Sequence, residues 1–171
     1  MIVTLSVEEI TRAAHVGVDR GGPKSHCKIG YNGNVTAKNM FQDHCMGACA
    51  ELAAANAFGV EWAGSVNTFR KGTDIPGAEV RSHQRATDGL YVRERDKDDS
   101  TPYILVLTYK FPEFVIFGWM TGHDARKDKW LTARDPDRPA CWVVPQRKLR
   151  RDLTPIYRIV KEASNATQRI H

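Results

Sequence analysis

Between residues 37 and 58 apolar positions recur at three- and four-residue steps. Phe41, Cys45, Ala48, Cys49, Leu52, Ala53 and Ala57 share one broad face, and Gly59 ends the run. That period predicts a helix, and its many small residues suit one lying flat on a sheet. A shorter helix is predicted from Ser6 to about Val16, because Ser6 followed three places on by Glu9 is a capping-box pattern. Gly21, Gly22, Pro23, Gly30 and Gly33 then break any period, so a long loop is expected through Thr36.

Beyond Gly59 the pattern becomes that of strands. Short strands are predicted at 64–69, 79–83 and 89–95, the last with Leu90 and Val92 alternating with polar neighbours. The runs 103–109 and 114–120 are almost wholly apolar and rich in β-favouring residues, which predicts a central hairpin buried on both faces. A helix at 124–131, a turn-rich connection at 134–139, an edge strand at 141–144 closed by Pro145, and a final helix or extended arm at 149–159 complete the pattern. The expected class is α/β, a mixed central sheet flanked by helices. Tyr103, Tyr109, Trp119 and Trp142 lie inside apolar strands and are expected in the core. Trp62 and Trp130, near element ends, are freer for substrate contact.

The chain has 171 residues, of which 42% are hydrophobic and 26% charged. That fits one globular domain able to bury a core without disulfides, and it excludes disordered and fibrous classes. The expected division is an N-terminal helix and loop at 1–38, a core at 39–145 and a basic C-terminal segment at 146–171. No apolar run reaches the length of a membrane span, so no membrane association is expected. The apolar start Met1 to Leu5 is too short for a secretion signal. Cys27, Cys45, Cys49 and Cys141 are therefore expected as free thiols in a reducing cytoplasm. His44, Cys45 and Cys49 with Cys27 raise the question of zinc, but no second close pair accompanies Cys45 and Cys49, and small buried hydrophobes account for them.

Lys and Arg number 25 against 20 Asp and Glu, a formal charge of +5. Such a balance favours polyanions through phosphate contacts. Arg147, Lys148, Arg150 and Arg151 form a basic run suited to a nucleic-acid backbone, or alternatively to a solvated face.

The chemistry-bearing stretch runs from Gly72 to Arg81. Pro76 and Gly77 place a turn between Asp74 and Glu79, and Glu79-Val80-Arg81 opens a strand. Two acids held by a strand and its turn suit a hard cation, Mg²⁺ or Mn²⁺, and Glu51 on the long helix offers a third carboxylate. Side chains alternate along a strand, so Glu79, Arg81 and His83 share one face. His83 and the adjoining Gln84 are secondary positions, His83 for phosphate contact or proton transfer. The bland alternative is a turn Asp, a solvent-facing strand Glu and a helix-surface Glu.

The helix with Glu51, the turn with Asp74 and Glu79-Val80-Arg81 leading into a mixed sheet together resemble the PD-(D/E)XK nuclease superfamily. The likeness is to its small phage-type and resolvase-like members and spans roughly residues 39 to 121. The resemblance implies a restriction-endonuclease-like fold and metal-dependent hydrolysis of nucleic acid, DNA by preference. It makes Glu51, Asp74, Glu79 and Arg81 the catalytic set, with Asp74, Glu79 and Glu51 as metal ligands. It also implies a possible homodimer and, for a phage-encoded protein, the host cytoplasm. Two departures stand out: Arg81 takes the place of the family's lysine, and Pro76 follows Asp74 where the family has a proline before it. A guanidinium stays charged and cannot take a proton from water. A noncatalytic nucleic-acid-binding or host-interaction module on the same fold is the alternative.

Overall fold

The computed structural model describes residues 1–21, 37–66, 72–94, 96, 99–132 and 141–169. Four strands build a mixed sheet: β1 (Ile2–Thr4), β2 (Glu79–His83), β4 (Pro102–Lys110) and β5 (Glu113–Thr121), in the order β1-β5-β4-β2. β4 and β5 pair antiparallel in the centre, β1 pairs antiparallel with β5, and β2 runs parallel to β4. A second, two-stranded sheet joins β3 (Leu90–Arg93) to β6 (Cys141–Val144) in antiparallel register. The helices are α1 (Val7–Gly21), α2 (Ala37–Phe58), the single turn α3 (Gly122–Ala125) and α4 (Thr154–Gln168).

Each face of the main sheet has its own core. On one, Val80, Ile104, Val106, Ile116 and Trp119 pack against the alanine-rich inner stretch of α2 and against Ile156 and Val160 of α4. On the other, Tyr103, Leu105, Leu107 and Met120 meet Leu90, Val92 and Val144 of the small sheet. This double cover explains why Pro102 to Thr108 are all buried. The helix α1 begins as its sequence predicts: Glu9 N–H donates to Ser6 Oγ (3.2 Å), and Ser6 N–H donates to a Glu9 carboxylate oxygen (2.8 Å).

Several expectations change. The start of the chain is a strand: Ile2 pairs with Val115, and Met1 O accepts from Ile116 N–H. α1 extends to Gly21, and α4 starts only at Thr154 but reaches Gln168. No strand forms over 64–66, where Gly64 is left-handed (φ +57°) and Ser65 O accepts from the Arg20 guanidinium instead of a neighbouring strand. The helix expected at 124–131 is α3 followed by a 3-10 turn at Asp128–Trp130, because Thr121 caps Asp124 N–H and the Arg126 N–H closes back on Gly122 O. Along Glu113–Met120 burial alternates up to Gly118, since the small sheet covers β5 less fully than β4. Strand β6 is not on the main sheet. Tyr109 is exposed and Trp62 buried, the reverse of expectation. Residues 22–36, including Cys27, the remainder of 64–69, Arg95 and the turn at 134–139 lie outside the described residues.

α1 and α2 lie backbone to backbone at Gly17, where an added Cβ would stand 2.5 Å from Cys45 Cα and 2.7 Å from Cys45 N. Ala within a helix ordinarily gains about 1 kcal/mol over Gly. Overpacking against backbone typically costs about 1–3 kcal/mol, so the clash dominates. Gly17→Ala is expected to lower the urea-unfolding free energy by roughly 1–2 kcal/mol; a gain in stability would show that the helices are not in contact there.

Candidate active site at the open edge of the sheet

Among the described residues β2 has a strand neighbour on one side only, and the candidate residues gather at its free edge. Pro76 and Gly77 (φ +73°) turn the chain so that Ile75 and Ala78 exchange backbone hydrogen bonds of 3.2 and 3.1 Å. Gly77 N–H also donates to Thr73 Oγ1 (3.1 Å). The turn folds Asp74 back beside the strand it precedes, where Asp74 Oδ2 accepts from Val80 N–H at 2.8 Å. Val80 O accepts from Arg81 Nη1 at 3.0 Å, so both backbone groups of Val80 on the free edge are satisfied by site residues.

Arg81 ties the acids together. Its Nη1 lies 3.3 Å from Glu79 Oε2 and 3.6 Å from Asp74 Oδ2, its Nη2 lies 3.0 Å from Asp96 Oδ2, and its guanidinium sits 5.2 Å from the centre of the Tyr103 ring. Glu51 arrives from α2 on the opposite side of β2. Arg20 of α1 grips it with two bonds of 2.6 and 2.8 Å, and the Trp62 indole N–H donates to it at 3.2 Å. Arg20 is itself anchored on Ser65 O through Nε (3.0 Å) and Nη2 (2.8 Å). Both members of the Arg20–Glu51 pair are largely buried, with side-chain exposures of 14% and 9%.

Asp74 and Glu79 thus share Arg81, whereas Glu51 pairs with Arg20 and reaches Asp74 through its charge. Asp74 senses both of the others: burial, then the charges of Glu51 and Glu79, push its carboxyl up to about 8, while the Val80 N–H and Arg81 pull the other way. For Arg81 burial acts downward, but Asp96, Asp74 and Glu79 outweigh it and raise its pKa; Arg20 is likewise raised against its burial by Glu51 and Asp74. Four carboxylates (Glu51, Asp74, Glu79, Asp96) thus meet two guanidiniums (Arg20, Arg81), an excess of two negative charges when all are ionised. A proton on Asp74 reduces that excess at neutral pH.

Beside this cluster opens a cavity of about 310 Å³ lined by Arg20 and Glu51, by Arg81 and His83 of β2, and by Tyr91 and Arg93 of β3; of the four acids Glu51 alone lines it. The His83 ring lies against Tyr91 (centroids 4.3 Å apart), with Nδ1 3.7 Å from Asp88 Oδ2. Burial lowers the His83 pKa against the pull of Asp88, which favours a neutral imidazole. Gln84 is exposed just beyond. The basic run lies elsewhere. Arg150 pairs with Trp119 of β5 on the side away from β4, three strand spacings from β2, or ~14 Å. It meets Asp124 at 2.6 Å, while Arg151 donates to Phe117 O, and Arg147 and Lys148 are exposed.

Arg20, Trp62 and Asp96 are the residues the sequence pattern misses. Arg20 ends a helix with no apparent tie to Glu51, and Asp96 sits in a charged stretch with no period. Cys45 Sγ lies 3.6 Å from Ala14 O and Cys49 is buried, which places these thiols in the α1–α2 contact. Among the described residues no group of three or more His, Cys, Asp or Glu side chains is disposed to hold a metal ion. Where Asp74 and Glu79 face one another, the Arg81 nitrogen stands between them. None of the described helices is long and apolar enough to cross a membrane. No known family, curated protein or solved structure matches the chain.

The raised Asp74 carboxyl has a signed consequence. The unfolded chain releases this proton near the ordinary 3.8 and the folded one near 8. The native state therefore binds more protons between those values, and the contribution to stability falls as pH rises through that window. Asp74→Asn keeps an acceptor for Val80 N–H and removes the charge. Relative to wild type it is expected to gain roughly 1–3 kcal/mol between pH 5 and pH 9. Urea titrations of both proteins at the two pH values measure this, and a difference independent of pH would refute it.

Proposed function

We propose that this protein is a metal-dependent nuclease of PD-(D/E)XK type, with DNA as the preferred substrate and a restriction-endonuclease-like arrangement of its core. The observation that carries the reading is the meeting of Asp74 and Glu79 on Arg81 at the free edge of β2, with the charge of Glu51 acting on Asp74 and with Glu51 and Arg81 lining an open cavity. The donor set is chemically suited to the expected cation: carboxyl oxygens alone, negative in excess and more so once Asp74 gives up its proton, fit Mg²⁺ or Mn²⁺ better than a soft metal. Asp74 and Glu79 would hold the ion and Glu51 would support it. When bound, such a cation supplies Lewis-acid polarisation of a phosphate and activation of water.

The chain's own residues have definite parts in this reading. Arg81 is the fixed positive charge beside Asp74 and Glu79, held in place by Asp96 and Tyr103, and would present that charge to a phosphoryl oxygen entering the cavity. Arg93 and His83 line the same cavity and steady the backbone on either side. Arg20 keeps Glu51 oriented through its two bonds and its anchorage on Ser65. The competing reading, a noncatalytic binding module, draws on the same ion pairs, which close the cluster without any cation.

Cleavage of plasmid and branched DNA in Mg²⁺ or Mn²⁺ separates the two. Asp74→Ala and Glu79→Ala are expected to abolish cleavage while circular dichroism stays native. Cleavage that survives both changes, or binding with no cleavage under any divalent cation, would remove the nuclease assignment. Arg81→Lys restores the residue of the resembled family and is expected to retain cleavage. It should cost roughly 1–3 kcal/mol in urea unfolding, because a single ammonium cannot reach Asp96 as well as Asp74 and Glu79.

A further inference from the structure

A second cavity of about 340 Å³ is lined by Gln42, Met46, Gln84, Thr108, Tyr109 and Phe111. It is built on the same elements as the first. α2 gives Asp43, His44 and Gly47 to one and Gln42 and Met46 to the other; β2 gives Ser82 and His83 to one, and Gln84, which follows them, to the other. The two spaces therefore follow one another along β2 and adjoin around α2, with Glu51 and Arg81 in one and the β4–β5 hairpin tip in the other. At that tip Tyr109 and Phe111 are 44% and 50% exposed. Phe111 is held edge-on against the core ring of Phe114 (centroids 6.1 Å apart, planes at 78°), and Lys110 Nζ stands 5.9 Å from the Tyr109 ring centre.

We propose that this second cavity receives an unpaired nucleobase of a strand whose backbone follows the free edge of β2 toward the carboxylates, so that single-stranded or frayed nucleic acid is the substrate class. The inference rests on the nuclease reading for its orientation, but its chemistry is separate. Two exposed aromatic rings offer stacking surfaces, which any base accepts. Gln42 and Gln84 present amide donors and acceptors of the kind that read base edges. Thr108 donates its hydroxyl hydrogen to His83 O (3.4 Å), which leaves its oxygen able to accept. Arg81 and Gln84 are three residues apart on an extended chain, ~10 Å, room for two or three nucleotides at the ~3.4 Å rise of a stacked strand. His83 occupies the interval between them and Lys110 adds positive charge beyond, as a phosphate backbone passing that way requires. A base held in a duplex is stacked and paired and cannot offer its face to Tyr109.

The test is binding without cleavage. A fluorescently labelled single-stranded decanucleotide is titrated with the full chain in EDTA and followed by anisotropy, beside the same sequence carrying one abasic position at each site in turn and beside its duplex. The expected result is that the intact single strand binds at least tenfold more tightly than the duplex, that one abasic position weakens binding about tenfold, and that this difference disappears in the double variant Tyr109→Ala/Phe111→Ala. Gln84→Ala should weaken binding about threefold while circular dichroism stays native. No binding, equal affinity for intact and abasic strands, or an abasic effect that persists in the double variant would overturn the proposal. So would sedimentation showing that Tyr109 and Phe111 join two copies of the chain. Base-dependent binding by a protein that cleaves nothing would sink the nuclease reading alone, whereas duplex cleavage without base dependence would sink this one alone.

Discussion

Bringing Glu51, Asp74, Glu79 and Asp96 to one sheet edge sets negative charges against each other where solvent screens them poorly. At an effective dielectric near 20, two unit charges 4 Å apart repel by about 4 kcal/mol. The fold tolerates the cluster because Arg20 and Arg81 are interleaved with the acids, one on each side of β2, and because Asp74 holds its proton to about 8. Such an arrangement is poor as a stability device, since desolvating ion pairs consumes most of what their attraction returns.

The geometry that allows this begins with one parallel pairing. Setting β2 beside β4 leaves its other edge without a strand among the described residues, and a sheet edge with unpaired peptide groups normally invites association. Here the edge is blunted by charge: the Asp74 carboxylate takes Val80 N–H and the Arg81 guanidinium takes Val80 O. The same two residues that protect the edge also hold the site, so edge protection and site assembly are inseparable. On the helix side, the close approach at Gly17 brings α1 near enough to α2 for Arg20 to reach Glu51. A bulkier residue at that contact would move the guanidinium, and with it the orientation of the carboxylate.

What could be read from the sequence was local. The capping box of α1, the alanine-rich α2, the β4–β5 hairpin, and the turn between Asp74 and Glu79 each follow from residues a few places apart. Glu51 was grouped with Asp74 and Glu79 through a resemblance, not from spacing, and in the structure its carboxylate is held by Arg20. Partners that depend on long-range packing escaped notice: Arg20 reaches across 31 positions to Glu51, and β1 pairs with β5 more than a hundred positions away. Apolar composition misled in both directions. Tyr109 belongs to a strand buried along most of its length but lies at its exposed end, and Trp62, outside any strand, is buried because its indole serves Glu51.

Arginine in place of the expected lysine has a structural reason in Asp96. A lysine ammonium concentrates its charge at one point, whereas a guanidinium offers two nitrogens facing different directions and a flat face. Arg81 uses all three: Nη1 serves Glu79 and Asp74, Nη2 serves Asp96, and the planar group rests over Tyr103. Asp96 in turn accepts from Arg93 N–H at 2.7 Å, which fastens the end of β3 to the site. The arginine thus links the main sheet to the small sheet that covers it, a task an ammonium on a flexible stem performs poorly. The substitution trades proton-transfer capacity for a rigid connection between the two sheets. On the nuclease proposal any proton acceptor would have to be sought elsewhere along the cavity, where His83, lowered in pKa by burial and set beside Asp88, is the side chain whose chemistry fits.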